Sequence, residues 1–119
     1  MKVLVVDDSK AIYHMVSEML SEENHEAVWA EDGVQAYNYL KENKDIELIL
    51  LDWNMPNMNG PEFLEKVRNE SLVDFPIVMM TTENKPTAIK TALELGASEY
   101  IMKPFTSDIL FNKIELVSE

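Results

Sequence analysis

The chain predicts an α/β sandwich built on one parallel sheet, and three observations carry that reading. Short apolar runs alternate with amphipathic stretches, strand then helix, five times. The runs are too short to be helices and are flanked by turn residues, as buried parallel strands are. Four of them end on a polar group: Val3-Leu4-Val5-Val6 on Asp7-Asp8, Leu48-Ile49-Leu50-Leu51 on Asp52, Ile77-Val78-Met79-Met80 on Thr81, and Tyr100-Ile101-Met102 on Lys103. Regular alternation implies right-handed crossovers with helices on both sheet faces.

The elements follow in order. Lys2 to Asp7 reads as the first strand. Ser9 can cap the next helix, whose buried stripe is Ile12, Met15, Val16, Met19 and Leu20. Ala27 to Ala30 is a short second strand, and Asp32-Gly33 turns into a helix with Ala36, Tyr37 and Leu40 inward. Glu47 to Asp52 is the third strand. After a loop from Pro56 to Gly60, Pro61 takes a first helical position, where its missing N–H costs nothing, and Phe63, Leu64 and Val67 face the core. Pro76 opens the fourth strand and Pro86 the fourth helix, which Gly96 ends as a left-handed cap. Glu99 to Lys103 is the fifth strand; Ser107 caps a last helix with Leu110, Phe111, Ile114 and Val117 on its apolar stripe, finishing near Glu119.

At 119 residues the chain fits one domain spanning 1–119, with enough core to fold without staples. A net charge of −12 argues against nucleic acid as a direct partner, because phosphate binding needs clustered Lys and Arg. There is no cysteine, so no disulfide and no thiolate chemistry, which fits a cytoplasmic location. The apolar run behind Met1-Lys2 is too short for a signal peptide, and no run approaches a membrane span.

In an open parallel sheet the carboxyl ends of the strands lie along one edge, where ligands bind. Asp7, Asp8, Asp52, Thr81 and Lys103 would converge there. Alone, an acidic pair after a strand is equally a solvated turn or a helix cap. Together the groups demand a counter-charge, since two like charges about 4 Å apart repel by roughly 4 kcal/mol at an effective dielectric of about 20. An all-oxygen donor set suits Mg²⁺, and Lys103 supplies a second cation. Thr81 ends its strand with a hydroxyl that can donate to an oxyanion, whereas Thr82 is expected to point to the opposite face. One chemistry uses all these groups: a carboxylate attacks phosphorus and forms an acyl phosphate. Asp52, on the expected central strand, is the nucleophile; Asp7 and Asp8 hold the metal.

Val5-Val6-Asp7-Asp8-Ser9, Leu50-Leu51-Asp52-Trp53-Asn54-Met55-Pro56, Thr81-Thr82-Glu83 and Met102-Lys103-Pro104-Phe105 together resemble the response-regulator receiver family, over essentially the whole chain. Within it, Asp52-Trp53-Asn54-Met55-Pro56 and Thr81-x-Glu83 are most similar to the single-domain chemotaxis type. The resemblance implies a flavodoxin-like (βα)5 three-layer sandwich of strand order 2-1-3-4-5. It implies Asp52 as phosphoacceptor, fed by a sensor histidine kinase. It implies Mg²⁺ held by Asp8 and Asp52, by Asp7 through water, and by the backbone carbonyl of Asn54, with Thr81 and Lys103 binding the phosphoryl group. Tyr100 falls at the aromatic switch position, and the output protein would bind the face made by helix four, strand five and helix five. Such a regulator acts as a monomer and catalyses only its own phosphorylation and slow self-dephosphorylation. Tyr13, where an arginine is frequent, Asn59, where aspartate is frequent, and Pro61 depart from common patterns and bear on partner identity rather than chemistry.

Two other classes compete. A Mg²⁺-dependent phosphohydrolase would also use an aspartyl nucleophile, but Asn54 stands where its general acid would be, and it would need a substrate cap. A flavodoxin-type FMN carrier would need a Ser/Thr/Gly-rich phosphate loop after the first strand, where Asp7-Asp8 would instead repel the phosphate. The chain reads either as a stand-alone regulator or as a receiver cut from a larger transcriptional regulator.

Overall fold

The structure, a computed structural model, describes residues 1–118; Glu119, near which the last helix was expected to finish, lies outside them. The chain alternates β1 (Lys2–Val6), α1 (Lys10–Ser21), β2 (Glu26–Ala30), α2 (Gly33–Glu42), β3 (Leu48–Asp52), α3 (Gly60–Asn69), β4 (Ile77–Thr81), α4 (Pro86–Glu94), β5 (Glu99–Met102) and α5 (Ser107–Val117). All four strand pairings are parallel, in the order β2-β1-β3-β4-β5. This is the flavodoxin-like arrangement.

Strand alternation divides the core into two layers. Leu4, Val6, Ile49, Leu51, Ile77 and Met79 join Ala36, Leu40, Phe63, Leu64, Val67 and Ala92 of α2, α3 and α4. The intervening residues Val3, Val5, Leu48, Leu50, Val78, Met80 and Ile101 meet Val16 and Leu20 of α1 and Leu110 and Ile114 of α5. Both faces of β3 and β4 are buried throughout. That is why these strands read as unbroken apolar runs. The chain leaves β1 toward β2 on one side and returns to β3 on the other, so strand order reverses between β1 and β3 and opens a crevice at their carboxyl ends.

Most element signals act as their chemistry requires. Ser9 caps α1 by accepting from the Ile12 N–H, and Asp32 caps α2 through the Gln35 N–H. Gly96 has φ +116° just past the end of α4. Strand ends move by one residue, and two helix starts shift. Thr106, not Ser107, caps α5, because its side chain accepts from the Ile109 N–H, while the Ser107 hydroxyl donates to Glu22. Gly60 opens α3 one residue before Pro61, under a reciprocal capping box of Asn59 and Glu62. Gly60 is required there. A Cβ would lie 2.4 Å from the Asp52 carbonyl oxygen, so only glycine lets the start of α3 reach the end of β3.

Candidate phosphoryl and metal site

Asp7 follows β1, Asp52 ends β3 and Lys103 follows β5. Each lies two residues beyond a side chain of the α1/α5 layer: Val5, Leu50 and Ile101, respectively. The period of two therefore turns all three to the same side of the sheet. The Lys103 ammonium donates to Asp7 Oδ2 at 2.9 Å and to Asp52 Oδ1 at 2.8 Å. The Asp7 side chain is 1% exposed, that of Asp52 11% and that of Lys103 16%. The Lys103 backbone N–H also donates to the Thr81 carbonyl at 2.8 Å, tying the end of β5 to β4 ahead of a cis Lys103–Pro104 peptide.

The two buried aspartates are held differently. Asp7 Oδ1 accepts from the Ser9 N–H at 2.8 Å, so both of its oxygens are engaged. Asp52 Oδ1 accepts from Lys103 and from the Trp53 N–H at 2.9 Å, which leaves Oδ2 without a hydrogen bond among the described residues. Asp8 is exposed. Asp7, Asp8 and Asp52 each offer a carboxylate oxygen within 4.8 Å of the others. Three hard oxygen donors at that spacing, with one cation shared by only two of them, fit a divalent metal ion. Asn54 lies exposed in the loop after β3.

Thr81 is buried at the end of β4, one residue past Met80, the Cα partner of Asp52. Its hydroxyl accepts from the Glu83 N–H at 2.8 Å rather than bonding to the carboxylates, so its proton is free to donate elsewhere. Thr82 points to the face opposite Thr81, as expected, and there it lines an apolar cleft of about 320 Å³ with Ile12, Met15, Lys103, Pro104 and Phe105. Alternation explains this: Thr82 follows Met80 on the α1/α5 side, the side Lys103 occupies.

Other contacts were not legible in the sequence. The Trp29 indole N–H donates to the Asp7 carbonyl at 2.9 Å. Asn57, at φ +66°, donates to Asp32 at 2.8 Å and fastens the β3–α3 loop to the start of α2. Both pairs join residues more than twenty positions apart in sequence, and no local spacing signals such a contact.

Burial holds the Asp52 carboxyl above the usual carboxylate range; Lys103 pulls against this, and Asp7 adds to the rise. Burial pulls the Lys103 ammonium down, but its bonds to Asp52 and Asp7 outweigh that and leave it raised. A carboxyl with a folded pKa above its unfolded value binds a proton more tightly in the native state. Its ionisation therefore destabilises the fold as pH rises from about 4 through the raised value. In chelator, the melting temperature of wild type relative to Asp52→Asn is expected to fall across that window, with the variant the more stable at neutral pH. Parallel melting profiles for the two proteins would contradict this.

The family model of the response regulator receiver domain matches residues 3–115. A chemotaxis protein CheY homolog of Campylobacter jejuni is 44% identical over 117 residues, covering 97% of this chain and 90% of its own. The chemotaxis protein CheY1 of Helicobacter pylori is 44% identical over 119 residues, covering 98% of this chain and 96% of its own. The solved structure of the chemotaxis response regulator CheY4 of Vibrio cholerae superposes with a TM-score of 0.89 at 38% identity, covering 98% of this chain and 97% of that one. Fold, site geometry and likeness agree, and the chain belongs to the response regulator receiver domain family.

Proposed function

We propose that this chain is a two-component response regulator phosphorylated on Asp52 by a sensor histidine kinase, with Mg²⁺ as cofactor. Its relatives in Campylobacter jejuni and Helicobacter pylori are chemotaxis proteins, and the same process in the cytoplasm is proposed here. The observation that carries the reading is Lys103 bridging Asp7 and Asp52 beside a free Asp52 Oδ2.

Asp52 Oδ2 attacks the phosphorus of a phosphohistidine. An O–P bond forms, the donor's N–P bond breaks, and the imidazole leaves with the electron pair and takes up a proton. Lys103 already stands at the nucleophile and can pair with a phosphoryl oxygen as it arrives. The Thr81 hydroxyl has its proton free for another. Bound through Asp7, Asp8, Asp52 and the Asn54 carbonyl, Mg²⁺ would neutralise charge on the transferring oxygens. The chain's own chemistry is thus limited to gaining and slowly losing the phosphoryl group.

The signal leaves by a population shift. Tyr100 is half-buried against the α2/α3/α4 layer, on the face away from Lys103. Of α4, only Ala92 is buried, and its N-cap Lys85 makes no side-chain cap bond. A helix so lightly anchored moves at low cost. The face of α4, β5 and α5 is therefore the proposed output surface for a monomeric regulator. In Thr81→Ala, labelling by phosphodonor should persist. The phosphodonor-dependent change in amide exchange across residues 88–100, expected in wild type, should be lost. A wild-type response in that variant overturns this route.

A further inference from the structure

Trp29 lies on the edge strand β2, half-buried, paired in register with Val5. Its ring stacks on Tyr13 of α1, with centroids 5.3 Å apart and planes 14° from parallel. The Tyr13 hydroxyl in turn reaches the Ala27 carbonyl at 3.4 Å. The stack leaves the indole little freedom and directs its N–H to the Asp7 carbonyl at 2.9 Å.

That carbonyl shares one planar peptide unit with the Asp8 N–H. Fixing its oxygen restrains that plane and the position of the Asp8 Cα, and the Ser9 N–H bond to Asp7 Oδ1 restrains the following peptide, so that together they limit the direction in which Asp8 presents its side chain. Asp7 has other anchors: its N–H donates to the Ala30 carbonyl at 3.1 Å, and its carboxylate meets Ser9 and Lys103. Asp8 is exposed, and no side-chain hydrogen bond among the described residues reaches its carboxylate. The backbone is what aims it.

We propose that Trp29 is a positioning residue for the Asp7–Asp8 pair, its stacked indole setting the peptide plane that directs Asp8 toward the bound divalent cation. The proposal rests on the reading that Asp7, Asp8 and Asp52 hold that cation.

The chain has two tryptophans, so Trp29→Phe keeps an aromatic ring against Tyr13 and leaves Trp53, beside Asp52, as the sole indole reporter. Mg²⁺ is titrated alone, without phosphodonor, at a temperature where every variant is folded. Removing one neutral hydrogen bond of ordinary net strength should raise the Mg²⁺ dissociation constant of Trp29→Phe by about fivefold to tenfold. Tyr13→Phe, which loses a hydroxyl but keeps the stack, should bind as wild type does. Asp8→Ala should lose the response. A purely structural Trp29 would change the melting temperature and leave the dissociation constant alone.

Wild-type Mg²⁺ affinity in Trp29→Phe overturns the proposal and leaves the metal reading standing. No saturable Mg²⁺ response in wild type overturns both. Should Trp29→Phe fail to fold, solvent exchange of the Trp29 indole N–H in wild type decides. Slow exchange, with a resonance shift that follows the Trp53 midpoint, supports the role; exchange as fast as that of a free indole rejects it.

Discussion

Asp52→Asn is expected to take up no phosphoryl group from acetyl phosphate and Mg²⁺, while wild type is labelled. Among the described residues, Asp52 Oδ2 is the one carboxylate oxygen of the site that is both without a hydrogen bond and next to the bridging cation. Asp7 has both oxygens engaged, and Asp8 lacks the lysine. An amide in place of Asp52 keeps the shape and can still accept from Lys103, but it is not a usable nucleophile. Intact-mass measurement reads the result, and circular dichroism checks the fold. Stoichiometric labelling of the variant would sink the assignment of the phosphoacceptor. Sustained turnover of a phosphate ester by wild type, beyond loss of its own phosphoryl group, would favour the phosphohydrolase reading instead.

The second large effect is on stability. Lys103→Met should lower the unfolding free energy by about 3 kcal/mol in chelator, the usual scale for removing one partner from a buried ion pair. The variant leaves Asp7 and Asp52 buried together without their shared cation. It should push the Asp52 carboxyl still higher than burial already does. The deficit should therefore grow as pH rises from about 4 toward neutrality and shrink on acidification. Mg²⁺ should restore part of it, because a cation that binds only the native state stabilises by mass action. Adding Asp52→Asn to Lys103→Met should restore part of it without metal. Chemical denaturation at several pH values measures all of this. Wild-type stability for Lys103→Met in chelator would mean that the ammonium does not neutralise the pair.

The bond pattern also bears on how the site resists its own charge. Lys103 approaches along the edge of the sheet from β5, two strands away from β3 in the order β3-β4-β5. Its backbone is pinned to Thr81 before the side chain crosses to Asp52 and Asp7. The lysine is thereby held at both ends. In the proposed phosphorylation the ammonium would exchange a carboxylate for a phosphoryl oxygen without moving the strand.

Much of this protein is determined by local sequence. Unbroken apolar runs in β3 and β4 are readable because both faces are buried. Ser9, Asp32 and Gly96 announce helix ends because their effects act over three residues or fewer. The polar residue closing each run could be named as a site candidate because parallel strands deliver their carboxyl ends to one edge. What local sequence does not contain is which face each strand end presents and which oxygen is left free. The Lys103 bridge, the apolar cleft that takes in Thr82, and the indole bond from Trp29 to the Asp7 carbonyl are such features. They join groups from separate strands, and only the assembled sheet, through its register and alternation, sets those distances.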